Sequence, residues 1–258
     1  MTGEADPVRR AYGRILQRVQ GRLVEPLSAF ARDWAGEAIV RMSTEPYDPA
    51  QLPVAKGAEN VLFCSHGAKG RFSLHVTGSR NAVFIGPFCD VSGAAIHVLG
   101  DDCVVFVGAL TQIRTGAGIR AQGQGFSVTI GERCHLGARC VVATTDGHGI
   151  YLAKDGARIN PERDVAIGDH AFIGYDARIQ KGCVIEPDAI VLERSIASGL
   201  LRSGCVYQGI PATLREEDVS WSSQAEARSL AEAQDGDARL FAECRDILRR
   251  RGAAVPAP

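Results

Sequence analysis

The sequence predicts an all-β core in which short parallel strands wind into a solenoid, with helical extensions at both ends. Aliphatic residues recur every six positions from Ile130 to Val142 and again from Ile167 to Val191. A small residue lies four positions after nearly all of them, as Cys134 does after Ile130. Glycine is abundant, with 29 residues, and aromatic residues are scarce, at 6%. These features are typical of a repeated strand-and-corner unit rather than of a core built on aromatic packing.

A six-residue repeat has a direct geometrical interpretation. A strand of four to five residues and a sharp corner make one side. Three sides close a triangular coil of about 18 residues, and successive coils pair as parallel strands. The aliphatic and the small residue point inward, and the small one relieves crowding where the chain turns. About seven coils are expected between Asn60 and Pro211, with terminal elements capping the exposed strand edges.

Three regions follow from the change of pattern along the chain. Residues 1–58 are predicted as a helical region and linker, with the helix over about 5–43 kinked or divided at Pro26. Residues 59–214 form the β-solenoid, with an inserted loop at 146–164. Residues 215–258 form a second helical region, capped at Ser222 or Ser223 and broken at 235–237. These helices suit a capping role, and an oligomer or partner surface is the alternative.

Composition limits the partners. The formal charge is −1 over 258 residues, so the composition indicates no polyanionic partner, nucleic acid included. No apolar run approaches the roughly 20 residues of a membrane helix, and the first ten residues lack an apolar signal core, so a cytoplasmic location is predicted. The eight cysteines form no zinc-binding spacing, and six of them lie at the small inward position. We therefore expect reduced, structural cysteines.

The insert breaks the repeat and contains the run TTDGHGIY. The segment around it resembles that of polysaccharide and sialic acid O-acetyltransferases of the hexapeptide-repeat acyltransferase family. In that family Asp-x-His-x-Ile opens a protruding loop, and an Ile-Asn-Pro stretch and an Ile-Gly-Asp-His-Val-Trp-Ile-Gly coil follow. The matching residues are Asp146, His148, Ile150, Ile159, Asn160, Pro161 and the run Ile167–Gly174. The resemblance implies a left-handed β-helix that assembles as a homotrimer, with sites between subunits.

His148 is the candidate general base. The resemblance implies this role, and chemistry supports it independently. Moving an acetyl group from a thioester to an alcohol requires removal of the hydroxyl proton, which an imidazole can accept. Gly147 and Gly149 flank His148 and allow close approach of a substrate. Asp146 is expected to orient the ring. The alternative is that His148 is an ordinary polar loop residue.

The resemblance also implies acetyl-CoA as the donor, bound in a groove between neighbouring coils. The residues that match this groove are Phe172, Gly174, Tyr175, Arg194, Gly209 and Pro211. Lys181, Arg202 and Arg215 are further candidates for the phosphates, and a main-chain N–H such as that of Gly174 is expected to stabilise the oxyanion. Phe172 replaces the tryptophan of the family. The run Val191–Arg194 is bulkier than the Ile-Gly-Ala-Gly that is usual there.

The predicted acceptor is a hydroxyl of a sugar or polysaccharide, for example in a capsule. The loop residues expected to contact it are Tyr151, Arg158, Asn160 and Arg163. An N-acyltransferase acting on an amino sugar is the first alternative. A catalytically silent scaffold protein is the second, favoured by the altered coil at Glu193–Arg194.

The other histidines suggest no metal site. His170 and His135 occupy outward positions and are interpreted as surface or subunit contacts. His66, His75 and His97 lie in the early coils with no partner pattern. Because no three histidines show the pairing of a metal centre, no bound metal is expected.

Overall fold

The structure is a computed structural model that describes residues 7–19, 39–43 and 54–250. This part of the chain contains two helices, α1 (Pro7–Val19) and α2 (Leu230–Arg250), and 22 strands in three sheets. The sheets are the three faces of a triangular prism, here named A, B and C.

The strands of each face follow in spatial order from one end of the prism to the other. Face A contains β1 (Ile39–Ser43), β3 (Asn60–Cys64), β5 (Ala82–Ile85), β8 (Val104–Val107), β11 (Ser127–Ile130), β14 (Val165–Ile167), β17 (Val184–Ile185) and β20 (Leu200–Leu201). Face B contains β2 (Val54–Lys56), β4 (Ser73–Thr77), β7 (Ala95–Asp101), β10 (Gly118–Gln124), β13 (Val141–Ala143), β16 (Arg178–Ile179) and β19 (Ile196–Ala197). Face C contains β6 (Asp90–Val91), β9 (Gln112–Ile113), β12 (His135–Leu136), β15 (Phe172–Ile173), β18 (Ile190–Val191), β21 (Val206–Gly209) and β22 (Ala212–Glu216).

The chain visits the faces in the order A, C, B, and each strand pairs in parallel with its equivalent in the next coil. About six turns of a left-handed β-helix result, where about seven were predicted, and among the paired strands that the structure describes β21–β22 is the antiparallel pair. The predicted fold class is therefore confirmed. Ala166 pairs with Val184, 18 residues later, whereas Val104 pairs with Ser127, 23 residues later. The early coils are wider because β7 and β10 have seven residues each.

The core is the inside of the prism, and the six-residue repeat describes it correctly. The repeated aliphatic residues from Ile130 to Val191 are at most 3% exposed. Each small inward residue follows a corner residue in the left-handed region, as Cys134 follows Arg133 (φ 55°) and Ala171 follows His170 (φ 53°). The small side chains fit because the chain turns sharply at that point.

All eight cysteines are free thiols and buried. Burial raises the pKa of the Cys134 thiol to about 12, so this side chain stays protonated at neutral pH. The cysteines act as small apolar residues of the core, as predicted.

Helix α1 begins with Pro7, a residue favoured at the first helical position, and packs on face A against β3, β5, β8 and β11. Arg10 pairs with Glu59 at 2.7 Å, and Arg18 pairs with Asp164 at 3.1 Å. The helix predicted over about 5–43 is wrong at its end, because Ile39–Ser43 forms β1 and pairs with β3. Val54–Lys56, predicted as linker, forms β2. Pro26 lies outside the described residues.

Helix α2 is continuous, so the break predicted at 235–237 is wrong. Its first turn is capped by Ser229, whose Oγ accepts the N–H of Glu232 at 3.2 Å. Ser222, predicted as the cap, instead donates its hydroxyl to Asp237 at 2.7 Å. Within the described part of the chain, neither helix is both long and apolar enough to cross a membrane.

Candidate functional site

The insert is a hairpin that leaves the prism at the edge between faces B and A. Val128 pairs with Val165, 37 residues later, against 18 in the next coil. The excess of 19 residues equals the length of 146–164. The Leu152 N–H donates to Ala157 O at 2.8 Å, and the Ile159 N–H donates to Ile150 O at 2.9 Å. The insert therefore has defined structure, although nearly all of it is solvent-exposed.

The base of the hairpin is held by one side chain, that of Asn160, which is only 9% exposed. Its Oδ1 accepts the N–H of Ile150 at 2.6 Å. Its amide nitrogen donates to Asp146 Oδ2 at 2.8 Å and to His148 O at 2.9 Å. A single amide thus binds all three residues of the Asp-x-His-x-Ile motif. Because these contacts occupy Asn160, it acts as a clamp for the hairpin and not as the predicted acceptor contact.

Lys181 joins this clamp from the next coil. Its Nζ donates to Asp146 Oδ2 and, at 2.8 Å, to Asn160 O. The lysine side chain is only 16% exposed. Lys181 was predicted beside CoA phosphates, but its charge is used to bind Asp146. Hydrogen bonds from Lys181 and from Asn160 hold the pKa of Asp146 below its ordinary value.

The His148 ring is oriented by main chain rather than by a carboxylate. Its Nδ1 lies 3.0 Å from Asp146 O. Because a carbonyl oxygen can only accept, Nδ1 carries the proton and the other ring nitrogen, Nε2, has an available lone pair. Asp146 thus contacts the ring through its main-chain oxygen, whereas its carboxylate is bound by Lys181 and Asn160. The ring is exposed to solvent, so a substrate can reach Nε2.

The ionisation of Asp146 gives a pH-dependent prediction. A carboxyl whose folded-state pKa is depressed stabilises the fold at higher pH and loses that contribution as pH falls through the depressed pKa. We expect the Asn160 side-chain amide resonances to titrate with a midpoint below 3.8, the ordinary value. Lys181→Met should move this midpoint upward, because the first cause of the depression is gone. An NMR titration measures both; an unchanged midpoint in the variant contradicts the assignment.

Tyr151 and the two glycines shape the surroundings of His148. A Cβ on Gly149 would lie 2.5 Å from Tyr151 Oη, so a larger residue there would displace the exposed tyrosine ring from this position. Gly147 has φ of 81°, which favours glycine. Arg120 Nη1 comes within 3.8 Å of the Cβ position on Gly147. Tyr151 and Arg120 are therefore the side chains placed near the loop that carries His148.

Arg158 and Arg163, the other two residues predicted to contact the acceptor, interact with neighbouring residues of the chain. The Arg158 guanidinium binds both oxygens of Glu162, at 3.0 and 2.7 Å. The Arg163 side chain packs toward Gly182, where a Cβ would lie 2.9 Å from its Cδ. Both arginines brace the hairpin, and Tyr151, which is 60% exposed, is the predicted contact that remains open.

A cavity of about 460 Å³ on face B adjoins the hairpin base. Its lining residues include His97, Arg120, Arg178, Asp146 and Lys181. Its floor consists of small and aliphatic residues of β10 and β13.

The predicted donor residues lie mostly along another edge, between faces C and B. Tyr175 is 40% exposed and stacks with Arg139, whose Cζ is 4.5 Å from the ring centroid. The Arg194 N–H donates to Tyr175 O at 2.9 Å, and Gly209 and Pro211 follow at the end of β21. This edge therefore presents an exposed aromatic ring, a cation and an open turn. Face B, on the order of 15–20 Å wide, separates it from the hairpin.

Two of the residues predicted to bind the acetyl donor make other contacts in the structure. The Gly174 N–H donates to Val191 O at 2.7 Å in the sheet ladder, so it is not free to stabilise an oxyanion. Phe172 lies at the other end of face C, with its ring 5.2 Å from that of His135 and 5.3 Å from that of Trp221. The C-terminal segment thus covers Phe172.

Trp221 anchors that segment to face C. Its Nε1 donates to His170 O at 2.6 Å, and its ring stacks on the His170 ring at 4.5 Å. His170 Nδ1 lies 2.7 Å from Asp188 Oδ1, and its side chain is 14% exposed. His170 and His135 were interpreted as surface or subunit contacts, but both are covered within the chain by Trp221.

Trp221→Ala is expected to destabilise the protein by about 2–3 kcal/mol, because the indole is only half-buried and full truncation of a buried tryptophan costs about 3–5 kcal/mol. Urea unfolding followed by far-UV circular dichroism measures the loss. Trp221→Phe keeps the ring contact but not the N–H donor, so it should lose about 1 kcal/mol. No loss in Trp221→Phe would contradict the assigned hydrogen bond, and equal losses in the two variants would contradict the ring contact.

Three residues of the site were not recognised from the sequence: Lys181 as an anchor, Arg120 beside Gly147, and Trp221 over Phe172. Each contacts its partner across coils or from outside the repeat. The coil register supplies a signal for one of them, because Arg120 pairs with Ala143, three residues before Asp146. Among the described residues, no group of three or more His, Cys, Asp or Glu is placed to hold a metal ion.

Comparison with known proteins supports the fold and the motif. The family profile described as "Hexapeptide repeat of succinyl-transferase" matches residues 127–153, which include β11, β12, β13 and His148. The crystal structure of the polySia-specific acetyltransferase NeuO superposes with a TM-score of 0.60 over 71% of this chain and 85% of that chain. The identity is 20%, so this match shows the fold.

Two curated relatives are similar in sequence. A polysialic acid O-acetyltransferase of Neisseria meningitidis is 29% identical over 128 residues, which are 42% of this chain and 60% of the relative. A polysialic acid O-acetyltransferase of Escherichia coli O1:K1 / APEC is 26% identical over 128 residues, which are 50% of this chain and 41% of the relative. The chain therefore spans about two fifths to three fifths of these relatives.

These findings define the class of fold: the chain contains hexapeptide repeats and has the left-handed β-helix fold that the acetyltransferase NeuO also has. Over 128 residues it is similar in sequence to two polysialic acid O-acetyltransferases, in agreement with the resemblance stated for the motif around His148.

Proposed function

We propose that the protein transfers an acetyl group from acetyl-CoA to a hydroxyl group of an acidic sugar polymer, with His148 as general base. The observation that carries this proposal is the arrangement of the hairpin. One buried amide fixes the motif residues, and a main-chain oxygen holds His148 Nδ1, so that Nε2 is available to accept a proton. Such preorganisation of a base is typical of general-base catalysis.

His148 Nε2 takes the proton of the acceptor hydroxyl as that oxygen bonds to the acetyl carbonyl carbon. The bond from that carbon to sulfur breaks, and the departing thiolate receives the proton from His148 Nε2, so the histidine returns to its neutral form. When bound, acetyl-CoA supplies the activated acetyl group. Tyr175, Arg194 and the turn at Gly209–Pro211 are the residues proposed to hold its nucleotide part, because they are exposed on one edge.

We infer that the complete site forms between subunits of a homotrimer. Two observations support this: the hairpin and the donor edge lie on opposite sides of face B, and the hairpin exposes apolar side chains. These are Ile150 (44%), Tyr151 (60%), Leu152 (36%) and Ile159 (54%). A neighbouring subunit that covers them can bring its donor edge to His148. Light scattering after size exclusion tests the trimer, and a monomer would contradict it.

The acidic acceptor is supported by the relatives, which act on polysialic acid by name, and by the charge at the site. Arg120 lies beside Gly147. Neither Arg120 nor Arg178 forms an ion pair with any residue that the structure describes. A carboxylate-bearing sugar fits this environment better than a neutral one.

The test is consumption of acetyl-CoA with a panel of acceptors: polysialic acid, neutral polysaccharides and amino sugars. Transfer to polysialic acid, with a product that mild base removes, supports the proposal because an ester is labile and an amide is not. A base-stable product indicates the N-acyltransferase alternative. Absence of acetyl-CoA binding in calorimetry indicates the scaffold alternative.

A further inference from the structure

Three cationic or titratable side chains form a straight column on face B. The parallel register pairs His75 with His97, and His97 with Arg120. Arg120 pairs in turn with Ala143, close to the start of the hairpin. Because adjacent strands lie about 4.8 Å apart, this column (His75, His97 and Arg120) extends roughly 10 Å along the prism axis, away from His148.

The column is continuous with the candidate site. The cavity of about 460 Å³ has both His97 and Arg120 in its lining, together with Asp146 at the base of the hairpin. Gly118 and Val141 line the cavity, and Ala95 pairs with Gly118 in the next coil. These side chains are short, so they leave a shallow groove beside the column. A polymer chain emerging from the site has an open path along this groove.

Among the residues that the structure describes, no carboxylate pairs with the side chains of His75, His97 or Arg120. Asp146, the acidic residue of the cavity lining, is bound by Lys181 and Asn160. The rings of His75 and His97 stack at 6.0 Å. Burial is the largest cause that lowers the pKa of His97, and the nearby Arg120 and His75 lower it further. An anion bound over the column would be attracted by Arg120 and would favour the protonated form of His97.

We propose that the column of His75, His97 and Arg120 is an anion-binding track for the carboxylates of an extended acidic acceptor. It holds the sugar units next to the one being acetylated and so favours long chains over short ones. This inference rests on the proposed function. It adds that face B recognises the length of the acceptor through side chains from three successive coils.

Steady-state kinetics with long-chain polysialic acid and with a short oligomer test the track. Arg120→Gln and the double variant His75→Gln/His97→Gln are expected to raise KM for the long chain by about 10-fold. Kcat should fall by less than KM rises, and KM for the short oligomer should change less. Arg239→Gln on α2 removes an exposed charge elsewhere, and its KM should equal that of the wild type.

An unchanged KM for the long chain would overturn the track. A raised KM for acetyl-CoA would also overturn it, because the bound anion would then belong to the donor. An altered oligomeric state would overturn it as well, because the column would then be a subunit contact. Calorimetric binding of long-chain polysialic acid in the absence of acetyl-CoA separates the two proposals. If the wild type binds the polymer and the variants do not, the track stands even where no acetyl transfer occurs. If binding is the same in wild type and variants, the track fails even where transfer occurs.

Discussion

Replacing His148 with alanine is expected to lower kcat for acetyl transfer by about 10²–10⁴-fold, because general-base catalysis contributes a factor of that size. The fold should be unaffected, since His148 is exposed and its ring makes one hydrogen bond, to the main-chain oxygen of Asp146. Initial rates of acetyl-CoA consumption with polysialic acid measure the effect, and thermal unfolding checks the fold.

The matched control is Lys154→Ala. Lys154 lies in the same hairpin and is exposed, with one long contact of 4.0 Å to Asp155, so its removal should leave kcat within about 2-fold of the wild type. A folded His148→Ala variant with full activity would rule out the proposed mechanism.

Replacing Asn160 with alanine is expected to lower kcat by roughly 10²-fold without any change to His148 itself. The substitution leaves the Ile150 N–H, the His148 carbonyl and one Asp146 contact without their partner. A displacement of about 1 Å at a catalytic group is sufficient for a loss of that size. Comparison of kcat and KM with polysialic acid measures the effect.

Asn160→Asp separates the two halves of the clamp. A carboxylate keeps the acceptor for Ile150 N–H but places a negative charge against Asp146, so this variant should be as impaired as the alanine variant. Lys181→Met should be less impaired, because Asn160 still holds the motif. Near wild-type kcat in both Asn160 variants would mean that the hairpin does not need the clamp.

The sequence was sufficient to predict the prism and the position of the insert. The six-residue spacing predicts which side chains point inward because each side of a coil repeats the same local geometry. Ile130, Cys134 and Ile167 are buried as expected, and the thiols are free. Only adjacent residues are involved in such a corner, which is why a local pattern reveals it.

The contacts within the site were less predictable because they join residues that are distant in the sequence. Lys181 reaches Asp146 across 35 positions, and Trp221 reaches His170 across 51. No periodicity encodes these pairs. Asn160 was recognised through the resemblance, but only the folded hairpin shows that its amide faces three motif residues at once.

The errors at the chain ends have a physical cause. Ile39–Ser43 continues a stretch with helical spacing, yet its backbone pairs with β3, so tertiary contact overrides local preference. Gly236 lies within a run that resembles a break, yet α2 continues through it, with Asp237 bound by Ser222 and Ser223.

The register on either side of the hairpin has a consequence for how such a protein can change. Val128 and Val165 pair as if the 36 residues between them were an ordinary coil, and the next coil resumes the 18-residue period. The packing of the coils therefore does not depend on the length of a loop inserted at a corner. Reactive loops of other lengths can be exchanged at this edge while the prism retains its core, so chemistry and stability can evolve separately in this molecule.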